Sequence, residues 1–332
     1  MAFKDKYKKI SDMDFGESVK DRPVLLVSME ERPQKTSGSY VAMKISDGFD
    51  KYDIKMFNTG IASFEAAGIR EGIVVDVDIT VQNFNNAKSL RADDVKITKT
   101  SGTPADFLVA APVDVNASFD KMITYLNTIT ESHKGEQYTC ITDLAVKLLE
   151  ENKAAFLFSG AAKGMHHDII GGLVYHTYRM FGMATRVCEV YKTLDMPLLI
   201  SAVAIHDIAK IREMNTSDAG DITYTPEGQL MGHLYMGAEM IHDMALKYPG
   251  KYDPEKVMLL KHMILSHHLN PEWGAVKGPS TAEAQMLHYI DQIDAKMYVF
   301  ENRFGDLKPG EVTEKVPFGL ENYVYKPMSY GG

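Results

Sequence analysis

Two cysteines, Cys140 and Cys188, in 332 residues are too few and too far apart for a disulfide framework or a zinc ribbon, and they form no CxxC pair. Both read as small apolar residues of a reducing compartment. Long hydrophobic runs are missing too: the longest, Met196 to Ile205, is far too short to cross a bilayer as a helix. The amino terminus, MAFKDKYKKI, is charged and lacks the apolar stretch of a secretion signal. The expectation is a cytoplasmic protein with no membrane partner. No G-x-x-x-x-G-K-[ST] loop is present, which argues against an NTP-driven motor. Nor is there a G-x-S-x-G elbow or a Cys/His pairing that would supply a nucleophilic side chain. The chain has no internal repeat and no low-complexity tract. Basic residues are not in excess: the formal net charge is −9, which argues against a broadly basic nucleic-acid binder. The deficit is uneven. Residues 1–105 carry 16 Lys/Arg and 16 Asp/Glu, whereas 106–332 carry 20 and 29. An acidic region suits a cation site. If it acts on a polyanion, metals and the neutral region must offset the repulsion.

What is present divides into two patterns, and the length allows two domains. From residue 15 to 100 the chain reads as short strands with turns between them. Val24 to Val27 is an apolar run, Tyr40 to Ile45 partly alternates, and Tyr52 to Phe57 alternates again. Ile73 to Ile79 is rich in β-branched residues, Asn83 to Lys88 is turn-rich, and Val95 to Ile97 follows. Ile61 to Ile69 fits a short helix between the third and fourth strands. Five strands with a helix there is the order of an OB-like barrel. A Pro/Ala-rich linker, Thr100 to Asp114, leads into helical periodicity that runs to about Arg303. Ser118 is the expected N-cap of a helix reaching His133, and Thr142 that of the next. The tail from Gly305 to Gly332, rich in Gly, Pro and Tyr, is expected to pack without regular structure. The fold class is therefore multidomain, α and β: a five-stranded barrel followed by an all-α bundle.

Ten of the eleven histidines lie between His166 and His288. A single helical histidine is most often a polar core or surface residue, but the clustering here favours a metal site. His176 stands in GLVYHT, His206-Asp207 in AIHDIAK, His233 in MGHL, His267-His268 in LSHH and Asp291 in HYIDQID. Imidazole with carboxylate suits a borderline first-row divalent metal, and such groups on separate helices can converge inside a bundle. Lys210, four residues after His206 and three after Asp207, can share their side of a helix. It would meet a substrate phosphate or orient the attacking water; the alternative is a surface lysine. Asp291 and Asp294 also share a face. Asp291 is the favoured ligand, with Asp294 as its support or a surface charge.

The order H…HD…H…HH…D resembles the HD superfamily of metal phosphohydrolases. The stretches HHDIIGGLVYHT, HDIAK, TYTPEGQLMGH, LSHHLNPEWG, LHYIDQIDAKM and GEVTEKVPFGLENYVYKP resemble the YhaM-type 3′-to-5′ exoribonucleases. These join an N-terminal OB-fold to an HD domain. The resemblance covers nearly the whole chain and is clearest in its C-terminal two-thirds. It implies an OB-fold-like domain over 1–105, a linker and leading helices over 106–165, an HD domain over 166–304 and a tail over 305–332. It also implies that His176, His206, Asp207 and Asp291 hold a first cation. Asp207 would bridge to a second, held by His233 and by His267 or His268. His166 and His167 would contact substrate phosphate or serve the structure, and His242, His262 and His288 match no ligand position. Two ions are implied. The mixed ligand set favours a transition metal over Mg²⁺, and the resemblance favours Mn²⁺.

The expected substrate is single-stranded RNA, with single-stranded DNA left open. Attack by metal-activated water would release nucleoside 5′-monophosphates, with Asp207 and Lys210 as catalytic groups. On the barrel, Tyr40, Lys44, Tyr52, Lys55, Phe57, Phe84 and Arg91 are candidate contacts for a strand, with barrel core as the alternative for each aromatic. Trp273, the only tryptophan, stacks on a base, walls the pocket or joins the core. Thr313 and Lys326 in the tail are candidates to close the site. Two other readings stand beside this one: a hydrolase of small nucleotides (nucleotidase, dNTPase or cyclic-nucleotide phosphodiesterase), and an OB-fold nucleic-acid binder with an inactive HD part. A homo-oligomer is compatible with the chain.

Overall fold

The computed structural model describes residues 6–34, 37–84, 87–98, 102–131, 138–162 and 168–329. Two compact units emerge, Met1–Ala110 with Thr216–Asp221, and Ala111–Asn215 with Ile222–Gly332.

The first unit is a closed barrel of β1 (Ser18–Pro33), β2 (Ser39–Ser46), β3 (Lys51–Phe57), β4 (Val74–Phe84) and β5 (Ala87–Ile97), in the order β1-β2-β3-β5-β4 with β4 returning to β1. Only β3 and β5 pair in parallel; the other pairs are antiparallel. Helix α1 (Ile61–Ala66) lies between β3 and β4, and its Phe64 is buried in the barrel core. This is the strand order and helix position of the OB-fold. The apolar run in β1 is buried on both faces. Val24 and Leu26 point into the barrel with Val41, Ile54, Val75 and Val77, while Leu25 and Val27 pack on Phe107 and Ala219. That double burial explains why Val24 to Val27 does not alternate.

The second unit is helical: α2 (Val115–Thr128), α3 (Ile141–Glu151), α4 (Lys153–Phe158), α5 (Gly172–Val190), α6 (Met196–Ile205), α7 (Lys210–Glu213), α8 (Pro226–Leu246), α9 (Pro254–Ser266) and α10 (Ala282–Asp306). The short strands β6 (Met214–Thr216) and β7 (Ile222–Tyr224) pair between α7 and α8. The run Met196–Ile205 is the central helix. Every residue from Leu198 to Ile205 is buried, and α6 packs against α3, α5, α9 and α10. A helix apolar all round must lie inside. No helix among the described residues is long and apolar enough to cross a membrane.

Helix starts differ from the sequence reading. Asp114, not Ser118, caps α2: its carboxylate accepts from Ala117 N at 3.0 Å, and Ser118 is buried one turn in. The helix ends at Thr128, and His133 lies outside the described residues. Thr142 sits inside α3, whose N-cap position is Cys140. The tail is more ordered than expected. Val312 and Tyr325 bridge antiparallel, Thr313 N donates to Val324 O at 2.9 Å, and Val324 is fully buried. Lys326 Nζ donates to the carbonyls of Phe304 and Leu307 at the end of α10, so its charge caps a helix.

Candidate metal centre

The central helix ends where the chemistry begins. α6 stops at Ile205, and His206 to Ala209 form turns before α7. The expectation of one helix through His206, Asp207 and Lys210 is thus corrected, although the spacing of three still brings Lys210 Nζ within 2.7 Å of Asp207 Oδ2. Lys210 is buried, which removes the surface-lysine alternative.

His206 occupies the C-cap position of α6, and His267 that of α9. Each ring donates from Nδ1 to the carbonyl three residues back, Val203 O and Ile264 O, both at 2.9 Å. The last carbonyls of a helix lack partners within it. A carbonyl can only accept, so the same bond that closes the helix fixes the tautomer and leaves Nε2 with its lone pair. The pattern recurs. His268 Nδ1 donates to Trp273 O at 2.7 Å, and His233 Nδ1 to Glu213 Oε1 at 2.9 Å. His176, fully buried on α5, also donates from Nδ1, to Asp294 Oδ2 at 2.7 Å, but its Nε2 faces a second carboxylate and keeps a proton in the metal-free chain.

The free edges converge as two groups around one carboxylate. In the first, His176 Nε2 lies 3.2 Å from Asp291 Oδ1 and 3.3 Å from His206 Nε2. Asp207 Oδ2 is 3.2 Å from His206 Nε2 and 4.0 Å from His176 Nε2. In the second, Asp207 Oδ1 is 3.4 Å from His233 Nε2 and 3.8 Å from His267 Nε2, with His268 completing the group. His176, His206 and Asp291 can offer ligand atoms within 4.8 Å of one another, as can His233, His267 and His268. His267 also groups with His206 and Asp207, so it stands between the two groups, whereas His268 joins only His233 and His267.

The electrostatics agree with a cation site. Among the described residues, Asp207 Oδ1, His233 Nε2 and His267 Nε2 are buried with no hydrogen-bond partner. Buried polar atoms almost always have partners. Three such atoms with lone pairs to offer fit a bound cation, and imidazole with carboxylate fits a first-row transition metal. Burial opposes the charge on Asp207, but Lys210 and His206 outweigh it and hold the carboxyl well below its ordinary value. Asp291 is likewise lowered, burial being overcome first by the hydrogen bond from His176. Burial pushes His267 well below the usual histidine range and lowers His268 too, so both are neutral imidazoles ready to bind metal.

The structure brings His176, His206, Asp207, Lys210, His233, His267, His268 and Asp291 together. His166 and His167 lie outside the described residues. Trp273 does not join the core: the residue is 56% exposed, and its carbonyl anchors His268. His288 is a support, donating from Nδ1 to His267 O at 2.7 Å. Asp294 is buried and holds both His176 and Arg179, which in turn makes two bonds to Glu301 at 2.6 and 3.1 Å. Glu213, Arg179 and Glu301 escaped the sequence reading. The only local signal was that Glu213 follows Lys210 by three positions.

On the barrel, Lys44 is not free for a strand, because its Nζ lies 3.2 Å from Asp221 Oδ1. Tyr52 packs against the barrel core. Lys55 and Phe57 are exposed and share a patch with Tyr40. The Phe57 and Tyr40 rings, cross-strand partners, lie 5.6 Å apart, and Lys55 Nζ is 5.9 Å from the Tyr40 ring. Phe84 is 68% exposed at the end of β4.

The HD domain family model matches residues 173–296. The helical unit thus contains an HD domain, which indicates a metal-dependent phosphohydrolase. Among solved structures, the chain is similar to the mitochondrial single-stranded DNA binding protein Rim1 of S. cerevisiae, at 25% identity and TM-score 0.21, over 27% of this chain and 100% of that one. It is similar to the second OB-fold domain of replication protein A from Methanococcus maripaludis, at 18% identity and TM-score 0.21, over 29% and 97%. It is also similar to RecG bound to a three-way DNA junction, at 12% identity and TM-score 0.23, over 86% of this chain and 35% of that one. At such scores the barrel's assignment rests on its own strand order.

Proposed function

We propose that this chain is a metal-dependent 3′-to-5′ exoribonuclease that hydrolyses single-stranded RNA to nucleoside 5′-monophosphates. The carrying observation is Asp207, whose two oxygens face two different groups of ligand atoms. One carboxylate so placed can serve two cations. His176, His206 and Asp291 would hold the first, and His233, His267 and His268 the second. When bound, divalent cations, Mn²⁺ on the family resemblance, lower the pKa of water and offset phosphate charge.

The chain's own groups supply the rest. The ionised Asp207 keeps Lys210 charged against its burial, so an ammonium stands where a phosphate beside Asp207 would meet it. In-line attack by water breaks the bond from phosphorus to the 3′ oxygen, releases the terminal nucleotide and leaves a new 3′ hydroxyl. No side chain acts as nucleophile. His166 and His167 match the family phrase and would contact substrate phosphate or serve the structure. For the polymer, an OB-fold carries single strands on aromatic platforms beside basic groups, and Tyr40, Lys55 and Phe57 are such a set. That barrel favours RNA over a small nucleotide as substrate.

The test is incubation of 5′-labelled single-stranded RNA with the purified protein and Mn²⁺ or EDTA, alongside Asp207→Ala. The expected result is a ladder shortening from the 3′ end with Mn²⁺ only, absent in the variant. RNA left intact with every divalent metal, together with turnover of free nucleotides, would replace this reading with the small-substrate one.

A further inference from the structure

His233 reaches the site through a break in its own helix. Inside α8, Gly232 has φ 71° and ψ 152°, a combination open essentially to glycine alone. A Cβ at Gly232 would meet nothing within 4 Å, so glycine is needed there for backbone conformation and not for space. The break costs His233 its helical N–H partner. Glu213 Oε1 takes that N–H at 3.0 Å, and the same oxygen takes the ring Nδ1 at 2.9 Å. The ring is then gripped at one edge, while its Nε2, buried without a partner, faces Asp207 Oδ1 at 3.4 Å.

The joint between α7 and α8 fixes where Glu213 stands. Thr225 N donates to Glu213 O at 2.9 Å, and Thr225 Oγ1 to Arg212 O at 2.8 Å. A Cβ on Gly228 would fall 2.2 Å from Glu213 O, so the first turn of α8 lies directly on the end of α7. Glycine at 228 permits the contact; glycine at 232 permits the turn that follows it.

We propose that Glu213 is the positioning residue of the second cation position, and that the helix break at Gly232 presents His233 to it. Glu213 binds no metal. It sets the tautomer and direction of His233, and with them the affinity of the group formed by His233, His267 and His268. The role rests on the two-cation reading above but can be measured apart from it.

In the metal-free full chain, nitrogen NMR of the imidazoles reads the tautomer of His233 directly. Wild type should carry the proton on Nδ1. Glu213→Gln, which keeps an oxygen acceptor, should retain that tautomer, and Glu213→Ala should lose it. Metal content by elemental analysis and affinity by chelator competition with Mn²⁺ give the second readout. Glu213→Ala and Gly232→Ala should each lose about one equivalent, with affinity for it down about 10- to 100-fold. Glu213→Gln should fall between them and wild type. Melting in EDTA checks that each variant is folded. Two equivalents bound with unchanged affinity in folded Glu213→Ala, or a tautomer that ignores the substitution, overturns the proposal. A wild-type chain that takes up no metal sinks the function proposed above, while the tautomer still decides the role of Glu213.

Discussion

His176 is the imidazole held between two carboxylates, Asp291 Oδ1 at 3.2 Å and Asp294 Oδ2 at 2.7 Å. Burial works against its charge, yet those carboxylates raise its pKa from 6.5 to about 9. The stabilisation from this shift is fully present in the metal-free chain below pH 6.5 and is lost as pH rises through about 9. A cation binding at Nε2 must displace the proton. Affinity at the first position should therefore climb with pH from 6.5 to about 9, by up to about tenfold per unit. Chelator competition at several pH values checks this, and a flat profile would mean that His176 is already neutral. Asp207 offers a second residue-scale prediction. Its removal leaves the Lys210 ammonium buried without the carboxylate it lies against. Asp207→Ala should cost about 3 kcal/mol of metal-free stability, and Asp207→Ala with Lys210→Met should recover much of it. Denaturant unfolding in EDTA measures both. The residues of the candidate centre were legible because each sits in a short, distinctive phrase. Of their supports, Asp294 was legible beside Asp291; Glu213 and Arg179 were not, because Glu213 meets His233 across 20 residues and Arg179 meets Glu301 across 122, and single-sequence spacing carries no signal at those separations.

At the scale of elements, periodicity located the helices but not their starts. Ser118 had the chemistry of an N-cap, yet α2 begins earlier, at Val115, because Asp114 reaches Ala117 N. Asp114→Ala should cost about 1 kcal/mol in thermal or denaturant unfolding. Ser118→Ala, in a buried interior position, should cost clearly less, and the reverse ranking would restore Ser118 as the cap. Strand ends were blurred for a different reason. β1 continues past Val27 to Pro33 through exposed Glu30, Glu31 and Arg32, whose backbones pair with β2. Backbone pairing leaves no mark in the side-chain pattern. Even the all-apolar α6 gave no periodic signal, since burial on every side erases the amphipathic stripe.

For the whole molecule, under the proposed function, the balanced charge of residues 1–105 would leave a single strand to be gathered by stacking more than by charge. Ala substitutions at Tyr40 and Phe57 should weaken binding of a long single strand by about 1–3 kcal/mol each. Hydrolysis of a small substrate that does not engage the barrel should change little. Equal losses on both substrates would remove the barrel from recognition. The division into barrel and helical bundle was readable because strand and helix periods differ so plainly. That Lys44 is occupied by Asp221 was not, because that pairing spans 177 residues. One feature also gives the molecule a built-in optical reporter. The chain has a single tryptophan, Trp273; the residue is 56% exposed and its carbonyl holds His268. Tryptophan emission therefore comes from one residue, whose backbone lies against His268 of the second ligand group. Paramagnetic Mn²⁺ arriving there should quench that emission without any label, so that filling of the site can be followed in a stopped-flow fluorimeter as it happens.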